Sequence, residues 1–215
     1  HLLIPNPGLS HTYENSRKKG LPMISLSPVQ GKFTSLLATL SGAQNVLEIG
    51  TLGGYSTLWF AQALKRGRGG KITSIEIDSS RRDIAIENLR SAGVSVPEEV
   101  DVVLGAALDV LPKLAVEIEK GERESFDFVF IDADWDHQWE YFDFAVRLSK
   151  GKGSAIYVDN VVRTMLERGV VGPQKRDESL IDLVAKVGED ERVEAVVMQT
   201  VGAKSYDGFL LAVVN

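Results

Sequence analysis

At 215 residues with 44% hydrophobic content, the chain is long enough to bury one full α/β core. Its 24 basic and 30 acidic residues leave a net charge of −6, which argues against a general nucleic-acid or anionic-membrane binder. Cysteine is absent, which excludes a disulfide framework and a thiolate metal site, and no apolar run approaches the roughly 20 residues of a membrane span. A cytoplasmic location is expected, and the start at His1 rather than Met leaves preceding residues open.

Residues 1–28 are punctuated by proline and glycine and include the basic cluster Arg17-Lys18-Lys19, which reads as an N-terminal arm carrying a solvated charge run. Val29 to Leu40 has helical spacing and closes at Gly42. Strand-like runs follow at Asn45–Ile49, Lys71–Ile77, Val100–Leu104, Phe126–Ile131 and Ser154–Val158. Amphipathic stretches alternate with them at Ser56–Leu64, Arg81–Ser91, Ala107–Lys120 and Trp139–Leu148. A further helix is expected at Glu178–Val187, then strands at Val193–Thr200 and Phe209–Val214, with the connection Gly202–Asp207 forming an antiparallel hairpin. Five β/α units and a closing strand pair predict one doubly wound, Rossmann-like α/β domain over residues 1–215.

The turn Glu48-Ile49-Gly50-Thr51-Leu52-Gly53-Gly54-Tyr55-Ser56 follows the first strand and opens a helix. Glycines there let the backbone approach a ligand, and the helix start offers free N–H groups. The spacing departs from G-x-G-x-x-G, which lowers the odds of a dinucleotide site. Glu48 is a carboxylate inside an apolar strand, which costs energy unless it is paired or used. Glu76, at the end of the second strand, can take both hydroxyls of a ribose.

Two acidic signatures lie 27 positions apart, Asp132-Ala133-Asp134 and Asp159-Asn160, each ending a strand that is apolar on both faces. Such strands belong to parallel sheets, which bind ligands beyond their carboxyl ends. Neighbouring strands lie about 4.8 Å apart, so Asp132, Asp159 and Asn160 can offer three hard oxygens to one cation.

Val46-Leu47-Glu48-Ile49-Gly50-Thr51, Gly54-Tyr55-Ser56-Thr57-Leu58, Phe128 to Asp134 and Val158-Asp159-Asn160-Val161 together resemble the motifs of cation-dependent class I O-methyltransferases of the catechol and caffeoyl-CoA type. The resemblance runs in order from about Leu26 to the C-terminus. It implies a seven-stranded, mostly parallel sheet with an antiparallel last strand, a homodimer, and S-adenosylmethionine as cofactor. It places cofactor contacts at Leu26, Glu48, Gly50, Thr51, Ser56, Glu76, Ala107 and Asp134, those of Leu26, Thr51 and Ala107 mainly through backbone atoms. Asp132, Asp159 and Asn160 carry over as ligands of Mg²⁺, with Ca²⁺ or Mn²⁺ as alternatives, and a small vicinal dihydroxy aromatic molecule as acceptor.

One position departs from the pattern. Catechol-type members carry a lysine, the proton acceptor, three residues after the first metal aspartate, and this chain has Trp135 there. Either the cation at Asp132 alone acidifies the hydroxyl or another group takes the proton, with His137 the nearest candidate. Selectivity for the acceptor is expected from the loop Val161–Arg176, the arm, and Ser205-Tyr206-Asp207. Two other readings stay open, an NAD(P)-dependent oxidoreductase and a non-catalytic cofactor-binding protein.

Overall fold

The computed structural model describes residues 2–172, 183–201 and 206–215. Seven strands, β1 (Asn45–Ile49), β2 (Lys71–Glu76), β3 (Val100–Leu104), β4 (Phe128–Ile131), β5 (Ala155–Val158), β6 (Val193–Val201) and β7 (Tyr206–Val214), form one sheet in the order β3-β2-β1-β4-β5-β7-β6. The first five are parallel, β7 runs antiparallel to β5, and β6 pairs antiparallel with β7 along its whole length. This is the doubly wound sheet that the alternating pattern predicts, with the seven strands and antiparallel last strand that the family resemblance implies. Residues 202–205, within the expected connection, lie outside the described residues.

Every residue of β4 and β5 is buried, which follows from helices covering both faces. On one face Leu47, Ile49, Val129, Ile131, Ile156 and Val158 pack with Leu111, Phe142 and Ala145. On the other, Phe128, Phe130 and Tyr157 pack with Leu58 and Phe60. Each such large side chain contributes about 1.5–3 kcal/mol on leaving water.

The helices are α1 (Pro7–Lys18), α2 (Pro28–Leu40), α3 (Tyr55–Arg66), α4 (Ser79–Ser91), α5 (Ala107–Glu119), α6 (Gln138–Leu148), α7 (Val161–Glu167) and α8 (Leu183–Gly188). Two differ in kind from the sequence reading. The expected arm contains α1, because Asn6 caps it by accepting the Leu9 N–H at 3.1 Å and Pro7 sits in its first turn. Punctuation by proline therefore marks a helix start. The first residues of the expected loop Val161–Arg176 form α7, which begins directly at the end of the fifth strand's motif. Of the helix expected at Glu178–Val187, residues 178–182 lie outside the described residues. No described helix is long and apolar enough to cross a membrane.

Candidate active site

The chain winds from β1 to β3 on one side and from β4 to β5 on the other, so a crevice opens beyond the carboxyl ends of β1 and β4. A cleft of about 530 Å³ occupies it. Gly50 makes its floor, with φ +102°, and a Cβ there would stand 2.1 Å from the Asp132 carbonyl oxygen. Only glycine lets the turn after β1 cross the end of β4 so closely.

Leu26, Gly50, Thr51, Ser56, Glu76, Ala107 and Asp134 all line this cleft, together with Asp132, Trp135, His137 and Asn160. Glu76 is held by backbone: Leu52 N–H donates to Oε2 at 2.8 Å and Asp78 N–H to Oε1 at 3.0 Å. Its remaining lone pairs stay available beside the cleft.

Glu48 sits behind the wall rather than on it. It is fully buried and accepts from Ser56 Oγ at 2.6 Å, Ser74 Oγ at 2.5 Å and the Thr57 hydroxyl. Burial pushes its carboxyl up to about 7, against the pull of the three hydroxyls, and the nearby Asp132 adds to the rise. Any influence on a ligand passes through Ser56, which does face the cleft.

Asp132 and Asp159 follow paired residues of adjacent strands, Ile131 opposite Val158. Burial and then the charge of Asp132 raise the Asp159 carboxyl well above the ordinary range, with Asp207 adding to the effect and the Asn160 backbone N–H opposing it. Asp159 is 5% exposed and lies deeper than Asp132 and Asn160. Two residues earlier on β5, the Tyr157 hydroxyl is buried with no hydrogen-bond partner among the described residues, and burial and the same three aspartates raise its pKa. Carboxylates crowded enough that Asp132 raises the pKa of Asp159 suit a cation, whose charge would relieve that repulsion.

Sequence reasoning missed Tyr141, which lines the cleft from α6 and donates its hydroxyl to Asp134. The same carboxylate meets His137 Nδ1 at 2.6 Å and accepts the His137 backbone N–H at 3.2 Å. Burial works against ionised Asp134, but Tyr141 and His137 outweigh it and hold the carboxyl below its usual range. In return the hydrogen bond and charge of Asp134 raise His137. The spacing Asp134, His137, Tyr141 at a helix start was the available signal. Trp135 stands at the cleft mouth with the Arg163 guanidinium 5.7 Å from its ring centre.

Comparison with known proteins agrees with this geometry. The family model described as O-methyltransferase matches residues 6–213. The chain is 45% identical to O-methyltransferase imqG of Aspergillus flavus, over 98% of this chain and 84% of that protein. It is 41% identical to a catechol O-methyltransferase of Niastella koreensis, over 91% and 85%. The crystal structure of an O-methyltransferase from Bacillus cereus in complex with S-adenosylhomocysteine superposes with a TM-score of 0.86 at 39% identity, covering 100% of this chain and 93% of that one. With fold, cleft and motifs in agreement, the chain belongs to the family of S-adenosylmethionine-dependent O-methyltransferases.

Proposed function

We propose that this enzyme methylates one hydroxyl of a small vicinal dihydroxy aromatic acceptor with the help of a divalent cation, Mg²⁺ suiting the all-oxygen set best. The observation that carries this reading is the pair Asp132 and Asp159 at adjacent strand ends, with Asn160 beside them on the cleft. The relative named a catechol O-methyltransferase supports the acceptor class.

S-adenosylmethionine supplies an electrophilic methyl group on a sulfonium. Glu76 would hold its ribose hydroxyls, while Gly50 and Ser56 would bring the turn against it and Asp134 would complete the cofactor contacts. The cation supplies charge that acidifies an acceptor hydroxyl and fixes the direction of attack. Asp132, Asp159 and Asn160 would orient the acceptor by holding that cation, and Trp135 offers its planar ring as a wall at the cleft mouth. Asp134 meets His137 at Nδ1, and that hydrogen bond, with the Asp134 charge, raises the His137 pKa. Its role in this reading is to orient Asp134, with acidification left to the cation.

Methyl transfer to a catechol panel with and without EDTA tests the proposal. Asp159→Ala should lose nearly all turnover yet keep S-adenosylhomocysteine affinity, and His137→Ala should keep a substantial share of turnover. Full wild-type turnover after exhaustive chelation would refute cation dependence. A His137→Ala loss beyond about a hundredfold, the lower end of general-base effects, with unchanged ligand affinities, would make His137 the base.

A further inference from the structure

We propose that Asp207, the second residue of β7, is a positioning residue that decides which end of the Asn160 carboxamide faces the cation; the inference rests on the cation reading above. Asn160 Nδ2 donates to Asp207 Oδ2 at 2.8 Å across 47 residues of chain. A carboxylate only accepts, so it can meet the NH₂ end of the amide and never the carbonyl end. With Nδ2 committed to Asp207, the planar amide turns Oδ1, the only atom able to ligate a cation, the other way. Without that contact the two ends of an amide are nearly equal in shape, and half-turns would present N–H groups to the cation.

Asp207 is itself fixed. Its Oδ1 accepts the backbone N–H of Gly208 at 2.7 Å and that of Arg163, in the first turn of α7, at 3.2 Å. Asn160 is equally constrained, at φ +59° directly before α7, a conformation asparagine tolerates better than most residues. Gly208 permits the approach of the two elements: a Cβ there would lie 2.4 Å from Val162 Cγ2 and 2.3 Å from the Met198 carbonyl oxygen. The arrangement also explains why the third ligand is an amide. An aspartate at 160 would set a second acceptor-only group against Asp207, beside Asp132 and Asp159.

Mn²⁺ binding, read by electron paramagnetic resonance with S-adenosylhomocysteine present and no acceptor, tests this independently of turnover. Asp207→Ala should weaken Mn²⁺ about 10–100-fold, as is usual when a ligand loses its orienting partner, with S-adenosylhomocysteine affinity by calorimetry unchanged. Asn160→Asp alone should also weaken Mn²⁺. The exchange Asn160→Asp with Asp207→Asn should restore affinity to within about threefold of wild type, because the new amide donates to the new carboxylate and accepts the two backbone N–H groups.

If Asp207→Ala fails to fold, the Asn160→Asp single variant against the exchange decides the matter. An Asp207→Ala protein with wild-type Mn²⁺ affinity, even with a lowered Tm, overturns the inference by leaving Asp207 only a structural cap of α7. An exchange no better than Asn160→Asp alone overturns it as well. A wild-type protein that binds no Mn²⁺ overturns the cation reading itself, a result distinct from either.

Discussion

Glu48 is the residue where sequence and structure differ most in meaning. A charged side chain in an apolar strand reads as a ligand contact, yet its oxygens are taken by Ser56, Thr57 and Ser74 behind the cleft wall. The carboxyl rises from 4.5 to about 7, so the fold prefers it protonated. The stabilising contribution is complete below about 4.5 and is lost as pH rises through about 7. At 1.36 kcal/mol per unit the loss is about 3 kcal/mol, to order of magnitude. Glu48→Gln should therefore flatten the pH dependence of unfolding free energy, gaining on wild type from about pH 4.5 to about 7 and levelling off above that in urea titrations. Parallel curves for the two proteins would show that Glu48 does not titrate in that window.

At the scale of elements, α1 is tied to the glycine turn after β1 through α4. Asn88, fully buried on α4, donates to Ser16 Oγ at 3.1 Å and to the Gly53 carbonyl at 2.9 Å, and accepts from Asn15 Nδ2 at 2.8 Å. One side chain thus joins the N-terminal helix, α4 and the glycine turn. Asn88→Ala leaves the Gly53 carbonyl buried without this donor, which costs about 1–3 kcal/mol. Thermal unfolding should shift down accordingly, and S-adenosylhomocysteine affinity should fall because the turn loosens. An unchanged affinity beside a lowered Tm would mean that the turn keeps its shape without α4. The sequence carried the helix cap at Asn6-Pro7, but nothing local says that Asn15 and Ser16 meet Asn88 more than 70 residues away.

At the scale of the whole molecule, the described residues leave one face with a row of exposed apolar side chains. Val29, Phe33, Leu36 and Leu40 lie at helical spacing along α2, all exposed, with Leu40 at 82%. Phe33 touches the Phe209 ring at 5.4 Å, and Met198 and Val196 of the edge strand β6, also exposed, pair with Phe209 and Leu211. Apolar patches of this kind mark interaction surfaces, and the homodimer implied by the family resemblance would place its contact here. Leu40→Glu combined with Met198→Glu should convert a dimer to a monomer by light scattering, with the cofactor cleft intact. A double variant that keeps the dimer mass would move the interface elsewhere.

The alternation of strands and helices and the acidic groups at strand ends were readable from the chain alone, because periodicity and turn chemistry are local properties. Gly50, Glu76, Asp132 and Asn160 reach one cleft because each follows or ends a parallel strand, and parallel strands present their ends on one side of the sheet. Depth and partnership were not readable in this way. Glu48 lies behind the wall through Ser74, 26 residues on, as well as through nearby Ser56 and Thr57. The Asn160–Asp207 contact spans 47 residues, and even the Asp134–Tyr141 contact, seven residues long, needs the turn before α6 to bring the two together. Such contacts are settled only when helices pack and strands register, since burial and hydrogen-bond geometry act between atoms brought together in space, however distant along the chain.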